Sequence, residues 1–344
     1  MIFYILAFFI AFMFLKLLNY LLTKNKFALD GILAEDSHKK FANLNTSVPL
    51  SGALYFTPLV FFFNLNDWLF LLICISFACL GFLSDIRYLN APKKRLLIQI
   101  ILILIYLLFN KDLIIDIRID FINNYLEVNL FRVLIMSFFI LVLINGYNFI
   151  DGVNILSSLN FLIVLFFSLL LINNNYDQNI SKFLIFLIIF LIVFLPFNFI
   201  GKNFLGDGGV YLLSLITGLL LIKISQANSN ISPYFIANLL WYPAFENLFT
   251  ILRRVFLNKK NYLPDNNHLH QLIFKYFKIK NLFKKNYLIS SFVGILINLY
   301  LLIFYFIGYM FYENTNIQIF LILFGIFSYL ITFFILKIKL NYLF

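Results

Sequence analysis

Residues 182–209 read KFLIFLIIFLIVFLPFNFIGKNFLGDGG, an apolar run closed by a glycine-rich turn around Asp207. No charge interrupts the run between Phe183 and Ile200, and its length approaches the roughly 20 apolar residues a helix needs to cross bilayer hydrocarbon. The stretch is therefore a membrane helix followed by a polar break. The same alternation recurs outward in both directions. It predicts about eleven membrane helices, centred near residues 2–22, 48–63, 68–84, 96–109, 131–147, 155–173, 182–200, 209–224, 234–250, 287–310 and 317–337. The expected fold is an all-α polytopic membrane protein, with residues 1–344 forming one integral-membrane domain. A content of 63% hydrophobic and 12% charged residues excludes an ordinary soluble domain.

No basic residue precedes the apolar run at 2–22 and no small-x-small cleavage site follows it, so it reads as a first membrane helix and not a signal peptide. One set of loops is strongly basic. It holds Lys24, Lys26, Lys39 and Lys40, then Arg87, Lys93, Lys94 and Arg95, then Lys202, the stretch from Arg253 to Lys285, and Lys337 with Lys339. The opposite side holds Lys111, Arg118, Arg132, Lys182 and Lys223. The positive-inside rule then places the N-terminus in the periplasm and the C-terminus in the cytoplasm of a bacterial inner membrane. Topology accounts for the net charge of +11, and no nucleic-acid partner is expected. Cys74 and Cys79 share one apolar segment, without the spacing of a disulfide framework or a metal site. Residues 111–130 alternate apolar and polar side chains around Asn123-Asn124, which predicts a small periplasmic β-hairpin. Residues 251–286 read as a cytoplasmic loop whose part from His268 to Lys285 has the pattern of a basic amphipathic helix on the inner leaflet.

A carboxylate near membrane depth costs on the order of 2.5–3.5 kcal/mol, so acidic residues at helix ends need a reason. Asp85, Asp151, Asp207 and Glu246 fall at cytoplasmic helix ends, and His38, His268 and His270 lie on the same face. Within Asn145-Gly-Tyr-Asn148-Phe-Ile-Asp151-Gly-Val-Asn154, three-residue spacing stacks amide and carboxylate oxygens on one helical face. Hard oxygens beside glycine suit Mg²⁺ and a closely approaching phosphate, although an Asn-rich cap and turn has the same composition. Gly206-Asp207-Gly208-Gly209 opens an apolar helix, where amides attract anions. Asp207 there reads either as a metal ligand or as a helix cap. Gly81-Phe-Leu-Ser84-Asp85-Ile-Arg87 is followed by Lys93-Lys94-Arg95, a cluster that by itself reads as ordinary positive-inside charge.

Together with the stretch from His38 to Pro49-x-x-Gly52 and the His268-Leu-His270 loop, these motifs resemble the polyprenyl-phosphate N-acetylhexosamine-1-phosphate transferases. That family includes the MurNAc-pentapeptide transferase of peptidoglycan synthesis. The resemblance covers most of the chain and keeps the family's order of motifs. It departs where Ser84 stands for the first of two adjacent aspartates, Asn154 for a second aspartate, and Gln271 for a further histidine or similar group. Ser and Asn retain hydrogen-bonding oxygens, and the chain reads as an active variant branch.

The resemblance implies attack by polyprenyl phosphate on a UDP-N-acetylhexosamine with release of UMP, helped by Mg²⁺, with Mn²⁺ as an alternative. It places Asp85 and Asp151 as catalytic groups and Asp207 with Asn148 on the metal. Lys39, Lys40, Asn145, Asn154, Arg253, Arg254, His268 and His270 become substrate contacts, Asn154 toward the uridine. Membrane lipids are the remaining partners, and a homodimer is allowed. Other readings are a transporter or flippase of lipid-linked sugars, and the MurNAc-pentapeptide transferase itself. Polar groups clustered at one face, away from the midplane, disfavour transport.

Overall fold

The computed structural model describes residues 2–30, 47–62, 67–110, 113, 116–172, 178–256 and 267–341. His38, Lys39 and Lys40 lie outside the described residues. The expected helices form in the expected order: α1 (Ile2–Lys24), α2 (Gly52–Phe62), α3 (Trp68–Asp85) and α4 (Pro92–Phe109). A short α5 (Asp120–Leu126) leads into α6 (Asn129–Ile150), α7 (Leu156–Leu170) and α8 (Gln178–Phe199). Then come α9 (Gly206–Ala227), α10 (Pro233–Phe256), α11 (Leu269–Ile279), α12 (Asn286–Met310) and α13 (Thr315–Asn341). Among the described residues, 7 helices are long and apolar enough to cross a membrane. The chain is an all-α, multi-pass membrane protein.

Helix α9 is the axis of the bundle, buried almost continuously from Gly206 to Ile224 against α2, α3, α6 and α7. Glycines set how closely its neighbours come. A Cβ on Gly81 of α3 would lie 2.4 Å from the Cα of Gly208, and one on Gly52 of α2 would lie 2.9 Å from the Cα of Gly209. Any side chain there would force the helices apart, so the end of α3 and the start of α2 are pinned to the first turn of α9.

Helix α2 starts later than the apolar run at 48–63 suggests. Strand β1 (Leu29–Asp30) pairs antiparallel with β2 (Val48–Pro49), Leu29 opposite Pro49. Pro49 lacks an N–H and holds its predecessor extended, which favours a strand end over a helix. Leu50 N–H donates to the Ala28 carbonyl at 2.9 Å, and Phe204 N–H donates to the Pro49 carbonyl at 3.0 Å. The segment before α2 is thereby tied to the turn that enters α9.

The far end of the bundle is closed by Arg118, whose guanidinium donates to the carbonyls of Ser229 (3.0 Å), Asn230 (3.0 Å) and Glu313 (2.9 Å). The hairpin expected over 111–130 is replaced in its described part by the helix α5, while residues 111–112 and 114–115 lie outside the described residues. Ile122 and buried Leu126 are also spaced for one helical face. Asn123, read as a turn residue, accepts from Ile117 N–H (3.0 Å) and donates to Asp116 (2.7 Å). Helix α10 runs on to Phe256, so the loop expected from 251 begins later. Helix α11 forms, but Leu269, Leu272, Ile273 and Phe274 are buried, and the helix packs on α12 and α13. Its apolar face is thus covered by protein and is not laid on a leaflet.

Candidate active site

The first turn of α9 carries free amides and a partial positive charge. Asp85, the last residue of α3, accepts hydrogen bonds from the N–H of Asp207 (2.7 Å) and of Gly208 (3.0 Å). Asp85 is therefore the cap of α9. Gly206 makes room for it with a φ of +69°, and a Cβ there would come within 2.5 Å of an Asp85 carboxylate oxygen.

With that role filled, the Asp207 side chain is turned to other partners. Asn148, in the last turn of α6, donates to Asp207 Oδ1 at 2.8 Å. Ser84 donates to Oδ2 at 2.6 Å, and Arg95 Nη1 lies 2.5 Å from the same oxygen. Arg95 also donates to Ser84. Four elements, α3, α4, α6 and α9, thus converge on one carboxylate. Asn145, one turn back on α6, donates to Gln99 Oε1 (3.1 Å) and to the Leu141 carbonyl (2.9 Å).

Asp151 ends α6, where its carboxylate accepts from Ser157. Asn154, expected to face the uridine, is buried and turned into the protein. Its N–H donates to Ser290 Oγ at 2.8 Å, and its amide lies 3.4 Å from both Ser291 Oγ and the Phe199 carbonyl. It joins α8 to α12.

The histidine loop closes on the same region. A Cβ on Gly152 would meet His270 Nε2 at 2.5 Å, so the imidazole lies directly against the turn after Asp151. Neither ring nitrogen of buried His270 has a hydrogen-bond partner among the described residues, an arrangement that costs about 1–3 kcal/mol per polar group. Burial pushes its pKa down to about 3, so the ring is neutral. His268 sits at the start of α11, its Nδ1 2.9 Å from Glu246 Oε1. Its N–H donates to Gln271 Oε1 at 3.2 Å, which gives Gln271 a helix-capping task. Arg253 donates to the Asn267 carbonyl at 2.9 Å, and the guanidinium of buried Arg254 lies 5.7 Å from the Phe149 ring.

Residues 67–225 match the family model described as glycosyl transferase family 4. Over that stretch the chain is similar to glycosyl transferase family 4. No curated protein matches the chain. The matched span runs from the start of α3 into the last turn of α9 and contains Ser84, Arg95 and Asn148, the side chains that meet Asp207 among the described residues. The histidine loop lies beyond it and is joined to it through Gly152 and Phe149.

Arg95 is the site residue that sequence reasoning missed. Positive-inside charge explains any basic residue at that end, so Lys93-Lys94-Arg95 carried no message by count. A signal was present in position: three basic residues in the first turn of a helix oppose its dipole and call for a partner. Among the described residues no group of three or more His, Cys, Asp or Glu side chains could hold a metal ion. Magnesium needs less, since it keeps several waters and takes one or two protein oxygens beside a substrate phosphate. Asp207 with the oxygens of Asn148 and Ser84 fits that requirement, and Asp207 already takes a cation in the form of Arg95.

Proposed function

We propose that the chain transfers an N-acetylhexosamine 1-phosphate from a UDP-sugar to polyprenyl phosphate. In this reading a lipid phosphate oxygen bonds to the β-phosphorus, the bridge to the α-phosphate breaks, and UMP leaves. The observation that carries the reading is the convergence of Asn148, Ser84 and Arg95 on Asp207 at one end of the bundle. Phosphoryl transfer asks a protein mainly for positioning and charge neutralisation. Asp207 and Asn148 would hold Mg²⁺, which when bound neutralises charge on the diphosphate. Asp85 fixes where Asp207 stands by capping α9. Arg95, released from Asp207, would bind phosphate oxygens in the forked geometry that suits a guanidinium.

A phosphate monoester is mostly dianionic at neutral pH, so the acceptor arrives as a nucleophile and Asp151 orients it more than it deprotonates it. Neutral His270 would meet sugar hydroxyls or the acetamido group by hydrogen bonding. Arg87, Lys93, Lys94 and Lys202 flank Asp85, Arg95 and Asp207 in the chain, which supports a cytoplasmic active site and periplasmic residues 116–128. The test is UMP release by purified protein given polyprenyl phosphate, Mg²⁺ and a panel of UDP-sugars. UMP formed only when lipid and one UDP-N-acetylhexosamine are both present supports the reading, and no UMP from any donor overturns it.

A further inference from the structure

We propose that Glu246 and Tyr329 are positioning residues for the sugar donor, holding the His268–His270 stack against Phe149 and Gly152. The proposal rests on the transferase reading above. Glu246 is completely buried in α10, where a carboxylate needs strong partners to be tolerated. It has two from separate helices: Tyr329 Oη of α13 donates to Oε2 at 2.8 Å, and His268 Nδ1 lies 2.9 Å from Oε1. A carboxylate on Nδ1 keeps the proton there and leaves Nε2 as the working nitrogen, the arrangement by which proteins orient an imidazole for a task.

The orientation is passed on by stacking. The His268 ring lies 5.2 Å from Phe149 and 5.6 Å from His270, with the two imidazoles only 10° from parallel. His270 in turn lies on Gly152, and its two ring nitrogens are unpartnered among the described residues. A fully buried polar ring without partners, held one residue from Asp151, is built to receive a ligand's hydrogen bonds. Imidazole nitrogens, one donor and one acceptor, suit the hydroxyl and amide groups of an acetamido sugar. Tilting His268 would move His270 with it. A structural ion pair predicts a different outcome: its loss lowers the amount of folded protein and leaves the binding constants of the remainder alone.

The experiment compares purified full-length wild type, Glu246→Gln and Tyr329→Phe by thermal unfolding and by UMP release, titrating UDP-N-acetylglucosamine and polyprenyl phosphate separately. Glu246→Gln should raise the donor KM about tenfold, and Tyr329→Phe about threefold, as expected for weakening a hydrogen bond to a charged group. The lipid KM and kcat should hold. If Glu246→Gln does not fold, Tyr329→Phe, which leaves the Glu246–His268 pair intact, decides alone. An unchanged donor KM in folded variants, or a fall in kcat at constant KM, overturns the proposal. An inert wild type counts against the transferase reading instead, and calorimetric binding of UDP-N-acetylglucosamine to wild type and Glu246→Gln then judges the positioning role separately.

Discussion

Arg95→Ala should separate metal binding from turnover. Arg95 Nη1 stands 2.5 Å from Asp207 Oδ2, with the two side chains 22% and 27% exposed. Coulomb attraction for two unit charges about 4 Å apart is about 1 kcal/mol in water and about 4 kcal/mol near a protein surface, and it is somewhat larger at closer contact. Discounted for solvent screening and side-chain ordering, the pair should contribute about 1 kcal/mol to stability, and the variant should fold. The functional effects are larger and opposite in sign. Without Arg95, Asp207 accepts a cation without first releasing one, and Mg²⁺ affinity of the substrate-free protein should rise about fivefold, the equivalent of about 1 kcal/mol. Turnover should fall about a hundredfold, because a charge-assisted contact to the transferring phosphate is lost. Mn²⁺ titration followed by electron paramagnetic resonance, with Mg²⁺ competition, reads the affinity, and UMP release reads the rate. Lys94→Ala removes the same charge from an exposed neighbour and controls for the general field. A metal affinity that is unchanged in Arg95→Ala, or that falls together with turnover, refutes the exchange of Arg95 for a cation.

Further expectations follow from neighbouring residues. Ser84→Asp should preserve or raise turnover and tighten Mg²⁺ binding, since it adds a carboxylate beside Asp207; revival of an otherwise inactive protein would contradict the active-variant reading. Gly206→Ala should lower the thermal unfolding midpoint sharply, because φ is +69° and the new methyl would press on Asp85; unaltered unfolding would remove Asp85 from its capping role. His270 ionises at about 3 against an ordinary 6.5, so the unfolded chain binds more protons between those values and stability is lost as pH falls through them. His270→Leu should flatten that acid limb in unfolding measurements. For sidedness, a cysteine at exposed Asn124 should react with an impermeant reagent in intact cells and one at exposed Lys202 should not; the reverse pattern would invert the topology.

The helices were legible because lipid permits few alternatives: a long apolar run must satisfy its own backbone, and a helix does so within the segment. Short segments were harder. The period of two through Ile115–Phe121 overlaps a helical spacing of Ile122 and Leu126, and only the hydrogen bonds around Asn123 separate them. Pro49 carried the information that α2 starts late, but the pairing of 48–50 with Ala28 and Phe204 is non-local. At the site, the oxygen-bearing residues of α6 and the Gly-Asp turn could be picked out from chemistry. Which of them does what could not. Asp207 reads as a cap from its place at a helix start, yet Asp85, distant in sequence, fills that place and leaves Asp207 for other partners. Asn154 shares the spacing of Asn148 but lies beyond the end of α6, and its amide turns inward. Glu246 stood out by position alone, and its partners on α11 and α13 are set by tertiary packing.

Asp207→Asn tests most directly whether Asp207 carries the metal and the phosphate chemistry. The amides of the first turn of α9 keep their Asp85 cap in this variant, so the protein should fold and insert normally. Turnover measured as UMP release across a Mg²⁺ titration should then fall to background at every concentration. Near-normal turnover with the wild-type Mg²⁺ requirement would contradict the account and take the metal away from this position.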